Sequence, residues 1–140
     1  MGNKYLFLDF DGVLHSTQDD SDFLEKLALL IPLINKYSFN IVISSSWRFQ
    51  FNLNDIKNFF PLIFHDKIIG VTGDPYVGQF ARYNEIKNYL FDHDKSLADW
   101  RALDDTSFEF PDNCENLILC SPNHGLQAKQ IKQLEQWLEN

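Results

Sequence analysis

The chain alternates between short, nearly continuous apolar runs and longer segments whose apolar residues recur at helical spacing. The runs Tyr5–Asp9, Ile41–Ile43, Lys67–Thr72, Trp100–Leu103 and Leu117–Leu119 read as strands buried on both faces, the pattern of a parallel sheet. Between them, Asp22 and Glu25 resemble a helix-starting pair, with Phe23, Leu24, Leu27 and Leu30 following at helical spacing. Pro32 is a poor interior helix residue, so either Asp22–Leu30 is a separate short helix or the main helix starts near Pro32 and runs to about Tyr37. The second start is preferred, with Leu33, Ile34 and Tyr37 as its buried face. Asn54 or Asp55 is expected to cap a short helix holding Ile56, Phe59 and Phe60, stopped by Pro61. Two further helices are expected, Arg82 to about Phe91 over Ile86, Tyr89 and Leu90, and Leu126 to Leu138 over Ile131, Leu134 and Leu138. Gly73-Asp74-Pro75 breaks the chain, and His15–Asp22, Tyr76–Ala81, Thr106–Asn116 and Ser121–Gly125 read as loops or turns. No repeat or linker interrupts this alternation, which predicts one α/β domain over residues 1–140, a central parallel sheet between helical layers.

Composition narrows the class. At 140 residues, 44% hydrophobic and 15% aromatic with 13 Phe, the chain is long and apolar enough to bury its own core, and no apolar run reaches the roughly 18 residues of a membrane span. Met1–Asn3 lead into the first strand without an apolar signal core, so a cytoplasmic location is expected, with no membrane partner. Cys114 and Cys120 form no Cys-x-x-Cys pair and read as reduced thiols. A net charge of −8 opposes tight non-specific nucleic-acid binding, which depends on clustered Lys and Arg.

The chemistry sits where strands end. Asp9 and Asp11 lie two positions apart at the end of the first run, and like charges held that close repel unless a cation or a proton separates them. Gly12 permits the turn that leaves both at the strand's carboxyl end, where open α/β sheets bind ligands. Asp104-Asp105 repeats the arrangement after the fourth run. Ser44, Ser45 and Ser46 follow the second strand, where small residues with free N–H groups at a helix start suit a phosphate, or cap the helix. Arg48 pairs either with a substrate anion or with a surface carboxylate. Arg82 at a helix start opposes the dipole and calls for a compensating partner. His15 is expected to face solvent, and Trp47, Tyr76 and Phe80 to complete the core rather than stack on a substrate base. Carboxylates gathered at one sheet edge require a hard divalent cation, and Mg²⁺, an oxygen-seeking ion shared with phosphates, fits. A carboxylate beside it can attack phosphorus and form an aspartyl-phosphate.

Asp9-Phe10-Asp11-Gly12-Val13-Leu14, the strand ending at Ser44, Arg82, and Asp104-Asp105 resemble, in order, the four motifs of the haloacid dehalogenase-like (HAD) superfamily. The resemblance implies a Rossmann-like domain with Asp9 as nucleophile, Asp11 as acid and then base, Ser44 as phosphate ligand and Arg82 as the basic group, although Lys87 also lies on that helix. Asp104 and Asp105 would complete the Mg²⁺ site with Asp9 and the Asp11 carbonyl, and Asp11 points to a phosphatase rather than a dehalogenase. The 33 positions from Asp11 to Ser44 and the 22 from Arg82 to Asp104 leave no room for a cap domain. The Ser44–Arg48 run, Ala102–Asp105 and Gly125-Leu126 further resemble the small capless branch within RNA-repair proteins. That implies a small phosphorylated metabolite, a nucleotide or a nucleic-acid end as substrate, with Ser44, Ser45, Arg48 and Arg82 as substrate-binding residues. The competing expectation is a non-catalytic domain that keeps the fold and binds a phosphorylated ligand or partner; the presence of both Asp9 and Asp11 weighs against it.

Overall fold

A computed structural model describes residues 3–15 and 23–140. The expected loop beyond His15 and the expected capping residue Asp22 lie outside these. The described strands are β1 (Lys4–Leu8), β2 (Asn40–Ile43), β3 (Ile68–Val71), β4 (Asp99–Asp104) and β5 (Leu117–Leu119), and the helices are α1 (Phe23–Lys36), α2 (Leu53–Asn58), α3 (Ala81–Asp92) and α4 (Ala128–Glu139). All strands pair in parallel in the order β3-β2-β1-β4-β5. The chain therefore builds outward from β1 in one direction and then, from β4, in the other. The crevice at such a reversal lies beside the carboxyl end of the central strand.

Side chains along β1 alternate between the two layers, as the pleat requires. Leu6 and Leu8 join Leu27, Leu30 and Leu33 of α1, Ile56 of α2 and Leu134 and Trp137 of α4 in one core. Tyr5 and Phe7 join Ile86, Tyr89 and Leu90 of α3 in the other. Phe7 has no solvent exposure and meets Tyr89 and Trp100 edge-on, with ring centroids 5.8 Å apart in both pairs. Truncating a buried Phe of this kind costs about 3–5 kcal/mol.

Helix α1 differs from its expectation. It is one element that passes through Pro32, not a helix starting there. Its buried stripe, Leu27, Leu30, Leu33 and Ile34, runs across the proline, and burying four aliphatic side chains outweighs one lost backbone bond. Pro32 and Ala28, whose carbonyl loses its donor, both lie on the exposed side, where water can serve that carbonyl. The α2 cap is Asn52, whose side chain accepts from the Asp55 N–H at 2.9 Å, rather than Asn54 or Asp55. After Ser45 the chain makes one 3₁₀ turn, Ser46–Phe49. The only element among the described residues between β1 and β2 is α1, and between β3 and β4 it is α3, so the described residues of the two intervals include no inserted cap. No helix of the described residues is long and apolar enough to cross a membrane.

Because Pro32 contributes a helix penalty and no buried contact, Pro32→Ala should raise stability by about 2 kcal/mol, the interior proline penalty less the entropy the ring removes from the unfolded chain. Thermal unfolding would show this as a rise of several degrees.

Candidate active site

The sheet register brings the predicted residues together. Leu8 is level with Ile43 and Leu103, and Ile43 with Val71. One residue further along each strand stand Asp9, Ser44, Asp104 and Thr72. Two residues earlier, Phe7, Val42 and Ala102 face the α3 core, so the alternation returns Asp9, Ser44 and Asp104 to that same face. Asp9 and Asp104 are buried, and with Asp105 each offers a carboxylate oxygen within 4.8 Å of the others. Burial first, and then the Asp104 carboxylate, push Asp9 well above the ordinary carboxylate range against the pull of Arg82. Asp105 is raised by burial and by Asp104. Cys120, whose N–H donates to the Asp104 carbonyl, is pushed up to about 12 by burial and then by the acids, so it is a neutral thiol. Three crowded oxygen donors of this kind, hard and anionic, could hold a cation.

Arg82 is the cation already present. Its guanidinium contacts Asp104 Oδ2 and lies 3.5 Å from Asp9 Oδ2. Burial opposes its charge, but Asp104 and then Asp9 outweigh that and raise its basicity. These acids, together with the Glu109 carboxylate that accepts from the Arg82 N–H at 3.3 Å, are the compensation expected for a cation at a helix start. Lys87, by contrast, is exposed on the same helix. Sequence reasoning missed Glu85, a buried carboxylate one turn along α3. It lies 3.8 Å from Arg82 Nε and 3.0 Å from an Arg48 terminal nitrogen, and accepts from the Tyr76 N–H at 3.0 Å. Its signal in the sequence was its position three residues after Arg82, on the side that also carries Ile86 and Tyr89.

Three other candidates gather around the end of β2. Arg48 donates to the carbonyls of Gly73, Ser44 and Ser45 and to Glu85. It therefore ties the Ser44–Ser45 turn to the β3 loop, and the two-way expectation resolves to a buried internal pair. The Ser45 hydroxyl accepts from the Trp47 N–H and caps the following turn. Ser44 keeps a fully buried hydroxyl with no hydrogen-bond partner among the described residues, an orphan that a ligand oxygen would satisfy.

Asp11 stands apart from the other carboxylates, half exposed. His15 Nε2 lies 3.0 Å from its Oδ1, and the Trp47 indole N–H donates to its Oδ2 at 3.4 Å. Contrary to expectation, His15 is buried, because the Asp11–Gly12 turn folds back on it, with the Gly12 N–H donating to the His15 carbonyl. Trp47 does pack with Phe10, Phe51 and Phe59 as expected, while its polar edge reaches the acid. Gly12 has φ +75°, and a Cβ there would stand 2.1 Å from Asp105 Oδ2. Only glycine lets the two acidic strand ends meet.

The model of the HAD domain in Swiss Army Knife RNA repair proteins matches residues 5–131. The chain belongs to this family. A HAD-type hydrolase fold is thereby shown, and the Asp9, Asp104 and Asp105 cluster is consistent with a metal-dependent member. No curated protein and no solved structure matches the chain.

Two outcomes follow for this HAD domain. Asp9 and Asp105 are raised in the fold, so the folded metal-free protein holds protons that the unfolded chain releases near pH 4. Their contribution is therefore favourable below that pH and is lost as pH rises through the raised values. The melting temperature of metal-free protein should fall as pH climbs above about 4, and a divalent cation should flatten the slope; calorimetric melts with and without the ion check this. Gly12→Ala, by displacing Asp105, should weaken divalent-cation binding about 10–100-fold, as displaced supporting groups do, measured by titration calorimetry.

Proposed function

We propose that this HAD domain is a Mg²⁺-dependent phosphomonoesterase that works through phospho-Asp9. The observation that carries the reading is the joint geometry of Asp9, Asp104 and Asp105 beside Arg82, level with the orphaned Ser44 hydroxyl on the neighbouring strand. Asp9, Asp104, Asp105 and the Asp11 carbonyl would hold Mg²⁺, whose oxygen-only donor preference matches this set. When bound, the ion neutralises the clustered carboxylates and the phosphoryl oxygens, the main demand of a reaction whose uncatalysed rate is extremely slow.

In this reading the Ser44 hydroxyl donates to a phosphoryl oxygen, and Arg82 orients Asp9 while offsetting its charge. An Asp9 oxygen forms a bond to phosphorus as the ester P–O bond breaks, and protonated Asp11 gives its proton to the leaving alkoxide. Asp11, now a carboxylate, takes a proton from water. The resulting hydroxide attacks phosphorus, the Asp9–phosphorus bond breaks, and inorganic phosphate and free Asp9 are released. His15 and Trp47 hold the two Asp11 oxygens and so fix the direction of that proton transfer. The absence of an inserted cap among the described residues leaves the site open to a phosphate on a large molecule. A small phosphorylated metabolite, a nucleotide or a nucleic-acid end therefore fits, in the cytoplasm, while the net charge of −8 opposes tight hold on a polymer backbone.

Hydrolysis of p-nitrophenyl phosphate is the test. Wild type should turn over only with Mg²⁺, Asp9→Asn should fall to background, and Asp11→Asn should slow turnover by about 10²–10⁴-fold, the range for a removed acid–base group. Full activity in Asp9→Asn would sink the proposal.

A further inference from the structure

A groove of about 360 Å³ opens beside Asp11, lined by His15, Phe23, Leu24, Trp47 and Phe59. Its size falls in the range of small-molecule sites. Two of its walls are also the two groups that hold the acid. His15 and Trp47 each present a nitrogen to Asp11 and line the groove as well. Any group that receives a proton from Asp11 is the leaving group, so the leaving group of a bound ester lies on this side of the site.

The lining decides what kind of leaving group is accommodated. None of the five residues is Lys or Arg, so among the described residues that line the groove a second phosphate or a carboxylate finds no cation. The indole N–H and one imidazole nitrogen are directed at Asp11, so a polyol would exchange its hydration for few hydrogen bonds and incur the cost of buried unpaired hydroxyls. Four of the five lining residues, Trp47, Phe59, Phe23 and His15, are ring side chains, a lining that favours a flat, uncharged ring through van der Waals and quadrupole contact. Trp47 itself is held by edge-on contacts to Phe10 and Phe59, with centroids 4.9 and 5.6 Å away, so the wall is pre-organised.

Resting on the phosphomonoesterase reading, we propose that this groove is the leaving-group subsite and that it receives the base of a nucleoside monophosphate.

Adenosine 5′-monophosphate and ribose 5-phosphate share one alkoxide leaving group and differ by the base, so their ratio of kcat/KM isolates the groove. Wild type with Mg²⁺ should favour the nucleotide about tenfold or more, the scale of one base stacked on an aromatic wall. Leu24, 64% exposed on the rim, can be changed without touching the core. Leu24→Asp should bring the nucleotide preference down toward unity. Equal kcat/KM for the two substrates overturns the proposal, and so does hexyl phosphate matching the nucleotide, since that marks a merely apolar groove. A second readout needs no turnover: the Trp47 indole N–H resonance, assigned by its loss in Trp47→Phe, should shift on titration with adenosine and not with ribose. If p-nitrophenyl phosphate is hydrolysed, turnover of neither ester overturns the nucleotide subsite; if it is inert as well, the phosphomonoesterase reading falls. The resonance would then decide the groove, an adenosine shift supporting it and no shift overturning it.

Discussion

Three carboxylates gathered at the ends of two adjacent buried strands are the constraint around which the structure is arranged. Burial and mutual repulsion both oppose their ionisation, as the raised Asp9 and Asp105 show, and a fold that places them there must supply positive charge from elsewhere. Arg82 supplies part of it from the first turn of α3, against the helix dipole. Glu85 then fixes Arg82 from its other side and engages Arg48, which ties the Ser44 turn to the loop after β3. A chain of alternating charges thus links the acidic strand ends, α3, the Ser44 turn and the loop after β3. What remains unbalanced among Asp9, Asp104 and Asp105 is the part a cation would meet.

The sheet makes this arrangement possible at little local cost. Because strands on either side of β1 run parallel and level, one register step brings Asp9, Ser44 and Asp104 to the same face and height. The face itself is chosen by alternation: Phe7 packs under α3, so Asp9 must point to α3 as well. Gly12 completes the set, since a side chain there would occupy the space of the Asp105 carboxylate. Asp11 is released by the same turn into a different environment, between an imidazole and an indole. The two acids of one motif thereby acquire different surroundings and, on the proposed mechanism, different tasks.

The strands, and three of the four helices to within a few residues, were legible because the signals are local: short β-branched or aromatic runs bounded by Gly, Pro and acidic residues. The motif acids and Arg82 were legible for the same reason, being tied to strand ends and a helix start. The course of α1 was not, since the proline penalty is a local quantity and the aliphatic stripe that overrides it acts through contacts with α4 and the sheet. His15, Glu85 and the true use of Arg48 escaped because each depends on a partner far away in the sequence or on a turn whose return path has no sequence signature. A histidine in a polar stretch looks solvated until the turn folds back over it.

By itself the sequence determined the α/β class, the strand ends that carry chemistry and the residue types gathered there, because apolar periodicity and turn chemistry act over a few residues. Only the tertiary structure decided which acids share a site, which cation faces them, and that Asp11 belongs with His15 and Trp47 beside an aromatic groove. Those relations depend on strand order and register, and distances between side chains many residues apart exist only once the sheet has closed.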